Sequence, residues 1–177
     1  MPAASEARVE TACFEDDGRL PNSRLAVSLY RGAIEPDAAD PASAFERCFA
    51  RNRWTNSWRD GVYTFHHYHS TSHEVLGVAC GEAVLRLGGR KGRDFEVGAG
   101  DVIVLPAGTG HKRISASDDF LIVGAYPDGR DWDLIKAYRE SAAVHDQALA
   151  RIAAVPLPRL DPVTGEDGPL ARLWTIS

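Results

Sequence analysis

The chain of 177 residues is long enough for one domain with a hydrophobic core of ordinary size. Its contents of 44% hydrophobic and 25% charged residues are typical of a globular protein. The 25 acidic and 20 basic side chains give a net charge of -5, which argues against a nucleic-acid-binding surface.

Neither a bilayer-spanning helix nor a secretion signal is expected from the sequence. No apolar run approaches the ~20 residues that a transmembrane helix needs, and the segment 1–10 lacks the apolar core of a signal peptide. Cys13, Cys48 and Cys80 are odd in number and widely spaced, which fits a reducing compartment better than a disulfide framework. We therefore expect a cytoplasmic protein with no membrane or nucleic-acid partner.

Residues 1–60 are expected to supply strands and one helix that pack on a later core. Alternating apolar residues indicate strands over 10–14 and 25–31. Asp40 is a suitable helix N-cap, with Pro41 at the first helical position. Apolar residues then follow at helical spacing, namely Ala44, Phe45, Cys48 and Phe49. This stripe favours packing of the helix against the core.

Trp54 and Trp58 lie among polar residues just before a cluster of histidines. Two interpretations of them are open. The indole rings either form the floor of a substrate pocket, where they give apolar contact and an N–H donor, or they seal the helix onto the core or onto a second subunit.

Four of the six histidines lie within residues 66–73, directly before Glu74. Residues 63–69 alternate apolar and polar side chains, which predicts a strand, so His67 and His69 project from the same face. A short polar turn follows, and Glu74 begins an apolar strand over 74–80. A hairpin of this kind returns the carboxylate to the two imidazoles.

A second segment supplies a third imidazole. The predicted strand 102–105 ends at a turn over 106–108, and His111 begins the next segment. Three imidazoles and one carboxylate form a nitrogen and oxygen donor set that suits one divalent transition metal ion, such as Mn, Fe, Co, Ni, Cu or Zn.

A purely structural role is the alternative for His67, His69 and His111. It would leave three unpaired imidazoles buried beside a carboxylate, at a cost of several kcal/mol. The remaining histidines, His66, His73 and His145, are expected to be ordinary core or surface residues or partners of the ligands.

Further strands are predicted over 83–87 and 120–126, with a basic hairpin loop at 87–93. Arg113 lies two positions after His111, so both side chains face the same way on a regular strand. An inward guanidinium would bind a carboxylate or phosphate of a substrate. Its more ordinary use would be an ion pair with Glu74 or another acid.

Residues 128–177 are expected to form a helix and a tail. Apolar residues recur at three- and four-residue steps from Trp132 to about Ala154, and this spacing predicts a helix that Pro156 ends. The tail carries an apolar group, namely Leu170, Leu173, Trp174 and Ile176. Such a terminus is expected to dock on the core or on a second subunit, and we expect a homodimer.

The two histidine segments resemble the sequence motifs of the cupin family. Gly61, five residues, His67-x-His69, four residues, Glu74, six residues and Gly81 match the first motif, and Gly100, five residues, Pro106-x-Gly108, two residues and His111 match the second. Cupins often have Asn four residues after the last histidine, where this chain has Ser115, but that Asn is not a ligand. The resemblance implies a metal ion bound by His67, His69, Glu74 and His111.

The segments 14–18, 54–58, 66–70 and 124–129 are similar to a bacterial group of small single-domain cupins of the YjlB type. The implied fold class is all-β with added helices: a single cupin barrel of the RmlC-like jelly-roll type, one helix in the N-terminal half, and a C-terminal helix and tail.

One domain is expected overall. Residues 1–60 would pack on the barrel, 61–127 would form the cupin core with both motifs, and 128–177 would form the C-terminal helix and tail. Cys13, Cys48 and Cys80 are each expected to be small apolar residues. The alternative for Cys80 is that it shares a face with Glu74 on a regular strand and lines the barrel interior.

Two functions are compatible with this site. The first is a mononuclear metalloenzyme that acts on a small anionic molecule by oxidation, dioxygenation or isomerisation, since four ligands leave open positions on a six-coordinate ion. In that case Arg113 would orient the substrate, and Glu74 or Tyr63 would act as acid or base, with Tyr68 and His73 as further candidates. The second is a metal-dependent small-molecule binding protein without turnover.

Overall fold

The structure is a computed structural model that describes residues 8–175. Within these residues the elements are, in chain order, β1 (Val9–Ala12), β2 (Val27–Tyr30), α1 (Pro41–Arg51), β3 (Trp54–Asp60), β4 (His67–Tyr68), β5 (Glu74–Cys80), β6 (Glu82–Leu87), β7 (Arg93–Gly98), β8 (Val102–Leu105), β9 (His111–Ala116), β10 (Leu121–Pro127), β11 (Ile135–Lys136), α2 (Ala142–Ala154) and α3 (Pro169–Leu173). None of the helices in this part of the chain is both long enough and apolar enough to cross a bilayer.

The strands form two antiparallel sheets. The spatial order is β1-β2-β8-β5-β10-β3 in the six-stranded sheet and β11-β4-β9-β6-β7 in the five-stranded sheet. Each predicted strand of the first two-thirds of the chain is present, although several are shorter at their ends than the sequence pattern suggests. The expected all-β fold with added helices is confirmed.

The six-stranded sheet contributes side chains to two hydrophobic cores, one on each face, because successive side chains of a strand alternate between the faces. On β5, Val75 and Ala79 face an outer core that the sheet shares with α1. Leu76 and Val78 face an inner core between the two sheets, where they meet residues of the five-stranded sheet such as Leu85. The inner core fills part of the space between the sheets, and the candidate site lies in the rest.

Helix α1 covers the outer face of the six-stranded sheet. It begins at Pro41 after Asp40, as predicted, and its fully buried Phe45 and Phe49 pack against β5. The contact is close because Gly77 has no side chain: a Cβ there would lie 2.4 Å from Phe45 Cδ1. A glycine at this point of β5 therefore sets how near the helix approaches the sheet.

The predicted helix from Trp132 to about Ala154 is wrong before residue 142. This part of the chain instead contains β11, which pairs with β4, and Tyr138 has a left-handed backbone with a φ of 67°. Ile135 and Tyr138 pack in a small core between the five-stranded sheet and α2. Their spacing matches a helical pattern, but it reflects a strand and a loop that contact the same core.

His145 on α2 joins the helix to the N-terminal part of the chain. Its Nε2 lies 2.8 Å from both carboxylate oxygens of Asp16, and its Nδ1 lies 2.8 Å from Oδ1 of Asp146. Burial alone would lower the pKa of His145, but the bonds to Asp146 and Asp16 raise it above its ordinary value.

The C-terminal tail packs on its own chain. Leu170 and Trp174 are 2% and 3% exposed and belong to the outer core beside α1. The indole N–H of Trp174 donates to the carbonyl of Ala26 at 2.8 Å. The predicted docking of the tail on the core is therefore present for Leu170 and Trp174. Ile176, which belongs to the same predicted apolar group, lies outside the described residues.

Asp161 fixes the turn that precedes α3. It is 3% exposed, and its carboxylate accepts hydrogen bonds from the hydroxyl of Tyr30 and from the backbone N–H groups of Val163, Thr164 and Leu170. These donors satisfy a buried charge that would otherwise be costly.

Cys80 packs as a small apolar residue, as expected, and the alternative that it lines the barrel interior is wrong. The pairing of β5 with β10 is irregular here, since Ile122 pairs with Val78 whereas Leu121 pairs with Cys80. This bulge interrupts the strict alternation of side chains. Cys80 consequently packs against the outer core.

Candidate metal centre

Both histidine segments meet at one end of the space between the sheets. His67 on β4 pairs directly with His111 on β9, and His69 follows β4 by one residue. The strand predicted over 63–69 is limited to His67–Tyr68, where both residues pair with β11 and His67 also pairs with β9. One ring nitrogen from each of His67, His69 and His111 lies within 4.8 Å of the others.

The turn of the second motif is anchored on the first. The backbone N–H of Gly108 donates to the carbonyl of His69 at 2.8 Å. Gly108 has a φ of 95°, and a Cβ there would lie 2.4 Å from the carbonyl oxygen of Asn22. A glycine is required by both the backbone angle and the space.

The three imidazoles are held in one tautomer by backbone carbonyls. The Nδ1 atoms of His67 and His111 lie 3.0 Å from the carbonyl oxygens of Phe65 and Thr109, and Nδ1 of His69 bonds to the carbonyl of Asp133. Since a carbonyl only accepts hydrogen bonds, each Nδ1 carries the proton. In the neutral form of each ring, Nε2 then has a free lone pair, which is the form that a metal ion binds.

Glu74 approaches the imidazoles from the opposite sheet. Its Oε2 lies 3.3 Å from Nε2 of His69, and its Oε1 lies 3.3 Å from Nε2 of His111. The hydroxyl of Tyr126 donates to Oε2 at 2.8 Å and accepts the indole N–H of Trp58, also at 2.8 Å. Glu74 is thus a buried carboxylate held by a chain of hydrogen bonds.

The electrostatics of the cluster favour a charged Glu74 carboxylate and a neutral His67 imidazole. Burial and the nearby His111 lower the pKa of His67 to about 2. Burial also acts against protonation of His69, but the Glu74 carboxylate raises the pKa of that imidazole. Although burial would raise it, His69 and His111 hold the pKa of Glu74 well below its ordinary value.

These donors fit a first-row divalent metal ion. Three Nε2 atoms with free lone pairs and one ionised carboxylate converge on the same cavity wall. Carbonyl acceptors behind the imidazoles and a hydroxyl donor behind the carboxylate are the usual partners of such ligands.

The cluster lies in a cavity of about 470 Å³ between the sheets. The size is within the range of small-molecule sites. Its rim includes Tyr63 and Trp132, which are 52% and 39% exposed. Arg113 lines the cavity, as expected from its position two residues after His111, and it makes no ion pair with Glu74 or with any other residue in the range 8–175.

The other catalytic candidates lie in different places. Tyr63 lines the cavity and its ring lies edge-on to His67 at 5.3 Å. Tyr68 is 1% exposed in the core under α2 and does not line the cavity. His73 is buried behind the cavity, where its Nδ1 accepts the N–H of Ala107 at 2.9 Å, so its ring supports the turn of the second motif.

Trp58 fits the interpretation as a pocket residue, whereas Trp54 fits the interpretation as a residue that seals the core. Trp58 lines the cavity, as a pocket residue would. Trp54 is 1% exposed in the outer core, and its indole N–H donates to the carbonyl of Leu160 at 3.0 Å. It seals the tail against the sheet.

Three residues of the site were missed by the sequence reasoning. Tyr126 orients Glu74, Trp132 forms part of the rim, and Asp133 bonds to His69 through its carbonyl. Of these three residues, only Tyr126 could have been predicted from the sequence. A tyrosine inside the apolar run 120–126 is expected to be buried, and its hydroxyl then needs a hydrogen-bond partner. Trp132 and Asp133 were hidden by the assumption of a helix.

A metal-type donor cluster between two facing antiparallel sheets defines the class of protein. The chain belongs to the cupin family: the family model described as Cupin domain matches residues 60–123. The expected jelly-roll barrel with added helices is thereby confirmed.

The similarity to one small cupin extends over almost the whole chain. The uncharacterized protein YjlB of Bacillus subtilis (strain 168) is 40% identical over 170 residues, which cover 96% of this chain and 98% of YjlB. The resemblance to bacterial cupins of the YjlB type is confirmed.

The chain is also similar to several solved structures, at much lower identity. The epimerase RmlC from Legionella pneumophila is 12% identical, with a TM-score of 0.40 over 70% of this chain and 74% of its own. Procruciferin, an 11S globulin from Brassica napus, is 15% identical, with a TM-score of 0.36 over 77% of this chain. A mutant oxalate decarboxylase from Bacillus subtilis is 16% identical, with a TM-score of 0.35 over 76% of this chain. This chain spans only 28% and 29% of the last two proteins.

Proposed function

We propose that the protein is a mononuclear metalloenzyme that acts on a small organic anion by oxidation, dioxygenation or isomerisation. The observation that carries this proposal is the set of Nε2 atoms with free lone pairs beside the ionised Glu74, at the wall of a cavity large enough for a substrate. His67, His69, Glu74 and His111 would hold the ion. Bound there, the ion would supply a Lewis acid and open coordination positions.

The remaining cavity residues have defined tasks in this proposal. Arg113 is the candidate for binding an anionic group, because its guanidinium has no acidic partner among the described residues. Tyr63 is the candidate for moving a proton, since its hydroxyl has no hydrogen-bond partner in the same part of the chain and lies at the rim. Glu74 is tied to Tyr126, which makes it a poorer base. The aromatic side chains exclude water from the reacting group.

The proposal is tested by metal analysis of protein purified without chelator. We expect about one transition metal ion per chain in the wild type, and a loss of at least tenfold in the His67→Ala variant. The matched control is His66→Ala, which removes the neighbouring imidazole. That ring packs on Tyr138 and does not line the cavity. Circular dichroism would verify that both variants are folded.

Activity assays then separate the two functional hypotheses. The metal-loaded protein would be incubated with a panel of small organic acids, and oxygen uptake and substrate loss would be followed. Turnover that disappears in His67→Ala supports the enzyme. Stoichiometric metal with ligand binding but without turnover would favour the non-catalytic, metal-dependent binding protein. Equal metal loss in both variants would contradict the assigned site.

We further propose that the protein works in the cytoplasm as a homodimer, with a small-molecule ligand and with no nucleic-acid or membrane partner. The free state of Cys13, Cys48 and Cys80 supports a reducing compartment, and the net charge of -5 disfavours nucleic acid. Leu149 and Leu157 are 42% and 39% exposed and would suit a subunit contact. Light scattering of the purified protein tests the dimer, and a monomeric mass would refute it.

A further inference from the structure

The cavity contains one arginine that is free to bind a ligand. Arg59 also lines the cavity, but its guanidinium bonds to both carboxylate oxygens of Asp40 at 2.9 Å and pairs with Glu46. Arg113 has no such partner within residues 8–175. Of the two carboxylates on the wall, Glu74 faces the imidazoles and Asp60 accepts the N–H of Gly61 at 2.7 Å. An anionic group is the natural complement of Arg113.

Aromatic side chains line much of the remaining wall, namely Trp58, Tyr63, Tyr126 and Trp132. Trp132 stacks on Tyr126 at 5.6 Å between ring centroids, with an interplanar angle of 20°, and remains 39% exposed. Trp58 has already given its N–H to Tyr126, so its ring offers the cavity apolar carbon atoms. Flat, rigid walls of this kind favour a flat ligand, because offset stacking adds about 0.5–1.5 kcal/mol beyond the burial of apolar area.

Arg113 and the imidazole cluster face the same cavity. His111 and Arg113 are two residues apart on β9, and the irregular pairing of β9 with β6 begins only after Arg113. Their side chains therefore lie on the same face of the strand, with Cα atoms separated by roughly 7 Å. A ligand whose carboxylate binds Arg113 would have its remaining atoms in the cavity that His111 and Trp132 also line.

We infer that the cavity takes a planar aromatic carboxylic acid, with the carboxylate on Arg113 and the ring against Trp132. The inference rests on the proposed function in that it treats the cavity as the substrate site. It narrows the substrate class from small organic anions to aromatic acids.

Three probe molecules test separately whether the cavity recognises the charge of the ligand and the planarity of its ring. Benzoate is planar and anionic, cyclohexanecarboxylate has the same charge and a similar size but a puckered ring, and benzamide is planar and neutral. Calorimetric titration of the full-length, metal-loaded protein is expected to show benzoate binding about tenfold more tightly than either of the others.

Two variants test which residue recognises the charge of the ligand and which recognises its planar ring. Arg113→Gln is expected to weaken benzoate at least tenfold while leaving benzamide unchanged. Its matched control is Lys112→Gln, which removes a cation from the adjacent position on the opposite face of β9 and should change nothing. Trp132→Leu is expected to reduce the preference for benzoate over cyclohexanecarboxylate to about one.

The outcomes distinguish this inference from the proposed function. Equal binding of benzoate and cyclohexanecarboxylate by the wild type, or full benzoate affinity in Arg113→Gln, overturns the inference even if one metal ion per chain is found. A preference for benzoate in protein that never holds stoichiometric metal supports the ligand class and refutes the metalloenzyme. Metal content and melting temperature, measured for every variant, show that a lost affinity is not lost folding.

Discussion

Removal of one hydroxyl group, in the Tyr126→Phe variant, tests whether Glu74 is held in place by its hydrogen-bond chain. The hydroxyl is buried, and both burial and the Glu74 carboxylate raise the pKa of Tyr126, so the group remains a protonated donor at neutral pH. The variant removes the 2.8 Å bond to Glu74 and leaves the N–H of Trp58 without its acceptor.

The expected cost follows from these two bonds. A hydrogen bond to a charged group contributes about 1.5–3 kcal/mol, and a buried donor without a partner costs about 1–3 kcal/mol. Allowing for some relaxation of the indole, we expect Tyr126→Phe to lower the free energy of unfolding by about 3 kcal/mol. Loss of a partner behind a metal ligand typically lowers metal affinity 10- to 100-fold, so a decrease of that size is expected as well.

Urea denaturation and competitive metal titration measure the two effects. The matched control is Tyr68→Phe, because Tyr68 is also almost fully buried but its hydroxyl makes no hydrogen bond with any residue in the described range. We expect that control to change stability by less than about 1 kcal/mol and metal affinity not at all. If Tyr126→Phe is no more harmful than Tyr68→Phe in both assays, the proposed orientation of Glu74 by Tyr126 is wrong.

Three further predictions concern stability and are measured by denaturation. Gly77→Ala should cost about 1–3 kcal/mol, because its Cβ would lie 2.4 Å from a phenylalanine ring of α1. Gly98→Ala is its control and should be nearly neutral, since the nearest atom would lie 3.9 Å away; equal costs would refute the packing argument. Asp161→Ala should destabilise by about 3 kcal/mol and expose the tail to limited proteolysis, whereas the exposed Glu166→Ala should do neither. His145→Ala should cost on the order of 1 kcal/mol at pH 5.5 and less at pH 9. The pKa of His145 is raised in the folded state, so its contribution is complete below its ordinary pKa of 6.5 and is lost as the pH rises through the folded value; a pH-independent cost would contradict the ion pair.

The parts of the structure that the sequence predicted well depend on short-range patterns. A short apolar run after a polar turn identified the strand Glu74–Cys80, and N-terminal helix signals located the start of α1 at Pro41. The predicted meeting of His67, His69, Glu74 and His111 is present in the structure, because the strands β4, β5 and β9 and the turns beside them place these residues. Their role as metal ligands stays a prediction, as does the division at residues 60 and 127.

The features that the sequence did not predict depend on contacts between distant segments. Trp132 and Asp133 reach the site because β11 pairs with β4, a contact between residues more than sixty positions apart. Helical spacing of the apolar residues could not reveal it, since a strand and a loop on the same core give a similar pattern. The alternative that placed Cys80 in the barrel interior fails for a related reason. The bulge between β5 and β10 follows from the register of two strands and has no signature in either one.

The candidate ligands come from both sheets, since the imidazoles belong to the five-stranded sheet and its edge whereas Glu74 opens a central strand of the six-stranded sheet. An ion bound by all four side chains would cross-link the two sheets of the barrel. Free metal at a hundred times its dissociation constant would then add about 2.7 kcal/mol to the unfolding free energy. The stability of the fold would therefore depend on the supply of metal, because depletion of the ion removes this contribution from the unfolding free energy.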